Sequence, residues 1–110
     1  MDTDYCMVIA IIRNDALQQV ERRLQGLGVQ GISVSGVRGY GEYADFYDRE
    51  QLTRHLRIEV CTAAHRGDAI AQAVMDAAHS GVAGDGIVAV LPVCKVYRTR
   101  GRAEVQPDEL

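Results

Sequence analysis

Tyr5 to Ile12 (YCMVIAII) is a near-continuous apolar run rich in β-branched side chains. Successive side chains of a strand point to opposite faces. A strand apolar on both faces therefore has to lie inside a sheet that is covered on both sides. This segment makes a central strand and demands two covering layers. With 110 residues, one domain is the natural expectation. A domain of this size buries a modest core, and with no Trp and one Phe that core must be aliphatic.

The rest of the chain supplies one layer. After Asn14 or Asp15 as a cap, Leu17, Val20, Leu24 and Leu27 recur at helical spacing, and Gly26 and Gly28 end the helix. Ile32, Val34 and Val37 read as a second strand, with Gly36, Gly39 and Gly41 suggesting a bend or bulge at its far end. Residues 41–52 read as a mobile loop. Leu52 to Thr62 alternates Leu56, Ile58 and Val60 against Arg57, Glu59 and Cys61, which predicts a third strand paired with the second. Ala64 to His79 is a second amphipathic helix, with Ile70, Ala73, Val74, Ala77 and Ala78 inward. Ile87 to Leu91 is a fourth strand that Pro92 breaks or bends, and Cys94 to Thr99 continues in extended form. Residues 102–110 read as a mobile acidic tail.

The order β-α-β-β-α-β predicts an α+β ferredoxin-like sandwich, an antiparallel sheet with both helices on one face. The other face still needs a cover, which a homo-oligomer would supply. The fold alone decides no function.

Charge and cysteine usage narrow the field. Twelve Lys+Arg against fifteen Asp+Glu leave a net charge of −3, which argues against nonspecific nucleic-acid binding. All basic residues but Lys95 are arginines, suited to planar anion recognition. No apolar run reaches membrane-spanning length, and no basic segment precedes an apolar one at the N-terminus, so no signal peptide is expected. Cys6, Cys61 and Cys94 are widely separated in apolar runs and read as buried thiols, consistent with a cytoplasmic location. His55, His65 and His79 are scattered, with no metal-ligand spacing. No nucleophile–base set or carboxylate pair is arranged for catalysis, so no enzyme is expected.

One stretch points to a ligand. Ser80-Gly81-Val82-Ala83-Gly84-Asp85-Gly86 lies between the second helix and the fourth strand. Its glycines permit positive φ and leave little bulk, and such a loop can fold its amides around an anion. Downstream, Arg98 and Arg100 are spaced i, i+2, one face of a strand. Together they have the makings of a phosphate receiver. A plain tight turn and a solvated edge pair fit the same residues.

Gly31 to Gly41 (GISVSGVRGYG) resembles the GxTVxxVKGxG strand of the PII signal-transduction proteins. Ser80 to Gly86 resembles their TGxxGDGK loop, Arg57-Ile58-Glu59-Val60 their KIEI strand, and Tyr97 to Gly101 their RIRTG ending. The resemblance runs from about residue 5 to residue 101. It implies a homotrimer that binds adenine nucleotide (ADP, AMP or ATP) between subunits. The implied nucleotide-binding residues are Ser33, Arg38, Gly39, Gly41, Cys61, Gly81, Gly84, Asp85, Gly86, Arg98 and Arg100. The other readings stay beside these: an ordinary sheet serine for Ser33 and a surface charge for Arg38.

The departures from the pattern shape the second effector. Ile87 stands where the family has the lysine that touches the terminal phosphates of ATP. Glu42 and Tyr43 replace the family's Arg-Gln, and His55 the lysine that meets 2-oxoglutarate. The following loop is shortened. Glu42, Tyr43, Phe46 and Tyr47 are therefore the candidate second-effector and loop residues, or an apolar patch packed on a neighbouring subunit. Gly41 to Tyr47 and Asp85 to Val93 resemble the divergent PII-like branch with carboxysome-associated members. That branch implies bicarbonate as second effector and a target such as a transporter or carboxysome-related protein. The alternatives are a nitrogen-regulatory protein sensing ATP/ADP and 2-oxoglutarate, a metal-tolerance-associated protein, or a small nucleotide-hydrolysing enzyme.

Overall fold

A computed structural model describes residues 2–39 and 53–110. β1 (Tyr5–Arg13) passes through a 3-10 turn (Asn14–Ala16) into α1 (Leu17–Gly26), followed by β2 (Ser33–Gly39). β3 (Thr53–Ala63), a second 3-10 turn (Ala64–Arg66), α2 (Gly67–Ala78) and β4 (Gly86–Val93) complete the main repeat. A short hairpin of β5 (Tyr97–Arg98) and β6 (Ala103–Glu104) and a last 3-10 turn (Pro107–Glu109) follow. The sheet order is β2-β3-β1-β4 and every pair is antiparallel, the expected ferredoxin-like α+β arrangement.

β1 is central because its two faces are both apolar. Cys6, Val8, Ala10 and Ile12 are buried against Val20 and Leu24 of α1 and Ile70 and Val74 of α2. Met7, Ile9 and Ile11 point the other way and are half-buried. Their β4 neighbours on that face, Leu91, Ala89 and Ile87, are exposed, with Leu91 at 41% and Ile87 at 45%. One face of the sheet thus carries the helices, and an apolar strip of the opposite face is left for another surface to cover.

Several local expectations change. Gly36 and Gly39 produce no bulge: the pairing of β2 with β3 runs from Ser33↔Glu59 to Gly39↔Thr53 without a slip, and Gly41 lies outside the described residues. Pro92 does not break β4, since it pairs with Cys6 on an edge strand, where one missing N–H is tolerated. No side chain caps α1; Asn14 and Asp15 sit in the 3-10 turn. Its far end closes as a Schellman motif, Val29 N–H donating to Leu24 O (3.0 Å) and Gly28 N–H to Gln25 O (3.0 Å), with Gly28 at φ +80°. Of the three thiols read as buried, Cys6 is buried, Cys61 is half-buried, and Cys94 is exposed just past the end of β4.

The segment 102–110, read from its acidic composition as mobile, is placed by one apolar residue. Val105 is buried, accepts a hydrogen bond from the Tyr5 hydroxyl, and donates its N–H to Val96 O (2.8 Å). Gln106 and Glu109 then form a reciprocal capping box. Among the described residues no helix is long and apolar enough to cross a membrane.

Candidate functional site

The glycine loop leaves α2 at Ala78 and enters β4 at Gly86. Gly81, Gly84 and Gly86 have φ of +84°, +97° and +114°, a region that side chains strongly disfavour. Gly86 is fixed by space as well: a Cβ there would lie 1.7 Å from the Ile11 carbonyl oxygen. Its place in the loop motif is therefore imposed by close contact with the central strand.

Asp85 is the loop's own anion. Its carboxylate accepts the N–H of Ser80 (2.8 Å) and of Gly81 (2.9 Å), and the Ser80 hydroxyl. Desolvation pushes this carboxyl up. The bonds from the Ser80 hydroxyl, the Ser80 N–H and the Gly81 N–H, with the Arg13 guanidinium, outweigh it and hold the pKa below the ordinary carboxylate value. The Ser80 hydroxyl in turn accepts the Val82 N–H at 3.2 Å. The first amides of the loop, expected to wrap an external anion, are thus taken up internally.

Two neighbouring residues of the sheet hold the loop from below. Arg13 and His55 are cross-strand partners at the end of β1 and the start of β3. Arg13 Nη1 lies 3.9 Å from Asp85 Oδ1, and His55 Nε2 lies 2.9 Å from Gly84 O. His55 is only 2% exposed. The same end of the sheet carries Arg38 and Gly39, beside Val37, which pairs with His55. Arg38 is exposed.

The remaining candidates lie elsewhere. Ser33, Cys61 and Arg98 line one groove of about 490 Å³ with Glu59, Thr62 and Arg66, and Glu109 and Leu110 also contribute to its lining. No residue of the glycine loop lines it. Along β3, Cys61 lies six residues from His55, about 20 Å at strand rise. Glu59 is paired with Arg57 at 2.9 Å, and burial raises the Cys61 thiol above its ordinary pKa, so the groove offers a neutral thiol and a compensated carboxylate. Arg66 reaches from the groove to Leu27 O and, at 3.4 Å, to Leu110 O.

The arginine pair departs from expectation. β5 ends at Arg98, and the chain turns back through a bond from Arg102 N–H to Arg98 O (2.8 Å), with Arg102 at φ +53°. Arg98 lines the groove and Arg100 sits on the turn, so they do not share a strand face. Gly41, Glu42, Tyr43, Phe46 and Tyr47, with the 41–52 loop, lie outside the described residues. Reading the sequence missed Arg13, Arg66 and the loop-holding role of His55, all of which depend on strand register or on contacts remote in sequence. Among the described residues no cluster of His, Cys, Asp and Glu could hold a metal ion.

The profile of the family described as "Nitrogen regulatory protein P-II" matches residues 5–103. A nitrogen regulatory protein P-II homolog of Arabidopsis thaliana is 29% identical over 107 residues, covering 90% of this chain and 55% of that longer protein. The nitrogen regulatory protein P-II of Cyanidium caldarium is 33% identical over 98 residues, covering 83% of this chain and 87% of its own length. The crystal structure of Arabidopsis thaliana PII bound to citrate superposes with a TM-score of 0.83 at 30% identity, over 94% of this chain and 91% of that one.

Proposed function

The chain belongs to the nitrogen regulatory protein P-II family, and we propose from that premise that it senses adenine nucleotide at a site assembled between copies of itself. It is a regulatory protein, not an enzyme. Proteins of this family bind adenine nucleotides and typically form homotrimers. One observation carries the proposal. The candidate residues fall into two sets, the glycine loop at one end of the sheet and the Ser33–Cys61–Arg98 groove away from it, and the groove's lining includes nothing from the loop. A second copy would bring a groove against a loop. The uncovered strip of Met7, Ile9, Ile11, Ile87 and Leu91 supplies apolar surface for such an assembly.

In this reading the phosphates meet the amides that follow Ala83, because Asp85 occupies those of Ser80 and Gly81. Arg98 of the adjoining copy adds a charge-assisted contact. Arg38, Gly39, Gly41 and Arg100 complete the phosphate side, and Ser33 and Cys61 the side of the base. Ile87 brings no charge to a terminal phosphate, so ADP or AMP should bind at least as well as ATP. Sedimentation equilibrium should give three chains per particle, and calorimetry should show ADP binding with little help from magnesium. A stable monomer, or ATP bound strongly and only with magnesium, would overturn this reading.

The relatives named above are nitrogen regulatory proteins, which supports a nitrogen-regulatory role over the inorganic-carbon role; in that first reading 2-oxoglutarate is the proposed co-effector. One observation favours the second reading. His55, at the position of the family's 2-oxoglutarate lysine, is buried with its ring committed to Gly84 O. A compact anion such as bicarbonate, held near Glu42, Tyr43, Phe46 and Tyr47, then becomes the alternative co-effector. ADP calorimetry with 2-oxoglutarate, bicarbonate or chloride separates the two, because coupling is reciprocal and only a true co-effector changes ADP affinity.

A further inference from the structure

The bond between His55 and the glycine loop decides which way one peptide plane faces. Nε2 of His55 lies 2.9 Å from the Gly84 carbonyl oxygen. A carbonyl only accepts, so Nε2 carries the proton and donates it. The Gly84 carbonyl and the Asp85 N–H belong to the same peptide unit. In a planar trans peptide these two groups point in opposite directions, and the described chain has no cis bond. Drawing the carbonyl inward to a buried ring therefore turns the Asp85 N–H away from His55.

Nothing in Gly84 itself enforces that choice. Glycine at φ +97° has no Cβ to bias the plane, and the opposite orientation is sterically open to it. With the plane reversed, the Asp85 N–H would face the ring and the Gly84 carbonyl oxygen would take its place on the side away from His55. The neighbouring brace acts on different atoms: Asp85 holds the amides of Ser80 and Gly81 through its side chain, and Arg13 touches that side chain. Neither contact involves the Gly84–Asp85 peptide.

We propose that His55 is a positioning residue that sets the Gly84–Asp85 peptide with its N–H toward the phosphate. It acts through the loop and does not touch the ligand. The proposal rests on the nucleotide reading above, and its test separates the two. Nitrogen-15 NMR of the imidazole in the unaltered protein at neutral pH should show Nε2 protonated; an unprotonated Nε2 overturns the proposal without any variant. His55→Leu removes the donor, and His55→Gln restores one. Hydrogen exchange without nucleotide should be faster across 83–86 in His55→Leu than in the wild type or His55→Gln, with α1 as the internal reference. Equal exchange in all three overturns the proposal. ADP affinity should fall about tenfold in His55→Leu and return to within about threefold of wild type in His55→Gln. Wild-type affinity in His55→Leu overturns the positioning role. A wild-type protein that does not bind ADP overturns the nucleotide reading, and the loop-orienting claim is then decided by imidazole protonation and exchange.

Discussion

Gly86→Ala tests whether the glycine at the loop's end serves packing in its own right. A Cβ at Gly86 would lie 1.7 Å from Ile11 O, 2.8 Å from Ile11 C and 3.4 Å from Ile12 Cα. These are backbone atoms of the central strand, hydrogen-bonded on both sides, and they cannot swing aside as a side-chain end would. Forcing them apart costs about 1–3 kcal/mol as overpacking. The φ of +114° adds about 1–3 kcal/mol of backbone strain for any residue with a Cβ. The expected loss is therefore about 2–6 kcal/mol against a total stability of about 5–15 kcal/mol. Gly81→Ala is the control. Gly81 also has positive φ, +84°, but a Cβ there meets only His79 ring atoms at 3.8 and 4.0 Å. It should lose only the left-handed penalty of about 1–2 kcal/mol. Urea unfolding at one fixed chain concentration, chosen because assembly adds to apparent stability, gives both values. A Gly86→Ala loss no larger than that of Gly81→Ala would refute the reasoning.

Burial first, and then the charges of Glu104, Asp4, Glu109 and Asp108, raise the pKa of the Tyr5 phenol. The folded state thus favours the neutral phenol, so its stabilisation is complete below the unfolded tyrosine pKa and is lost as pH rises through the folded value. Alkaline unfolding titrations should show this decline in wild type and lack it in Tyr5→Phe; matching curves would contradict the buried contact with Val105. Asp85 has the opposite sign: its folded pKa is depressed, so its contribution is present above the ordinary carboxylate pKa and lost as pH falls through the folded one. The stability gap between wild type and Asp85→Asn should narrow on acidification, and a gap independent of pH would count against the loop brace.

What could be read from the sequence follows the range over which each feature is determined. Tyr5–Ile12 announced a central strand because its two apolar faces are a local property. Leu17, Val20 and Leu24 announced α1 because helix periodicity spans only a few residues. The positive φ at Gly81, Gly84 and Gly86 was legible for the same reason. Asp85 as the internal ligand of Ser80 and Gly81 was not, because that depends on how tightly the loop folds back on itself. His55 on Gly84 joins residues 29 apart through strand register, which periodicity does not reveal. The spacing of Arg98 and Arg100 suggested a shared face only on the assumption of a continuing strand, and the β5–β6 turn removes that assumption. In 102–110 the charges outnumber the one residue, Val105, that fixes the path.

The site between copies is tested most directly by mixing two defective variants. Arg98→Ala keeps the glycine loop and loses a groove cation, while Asp85→Ala keeps the groove and loses the brace of the loop. Each alone should bind ADP weakly, Arg98→Ala by the loss of a contact worth about 1.5–3 kcal/mol. After equal amounts are unfolded and refolded together, with mixed particles confirmed by native mass spectrometry, about a quarter of the contacts in a closed cyclic assembly join an intact loop to an intact groove. Calorimetry should then recover wild-type ADP affinity at about a quarter of the sites. Mixed particles that bind no better than either parent would contradict a site built from two chains.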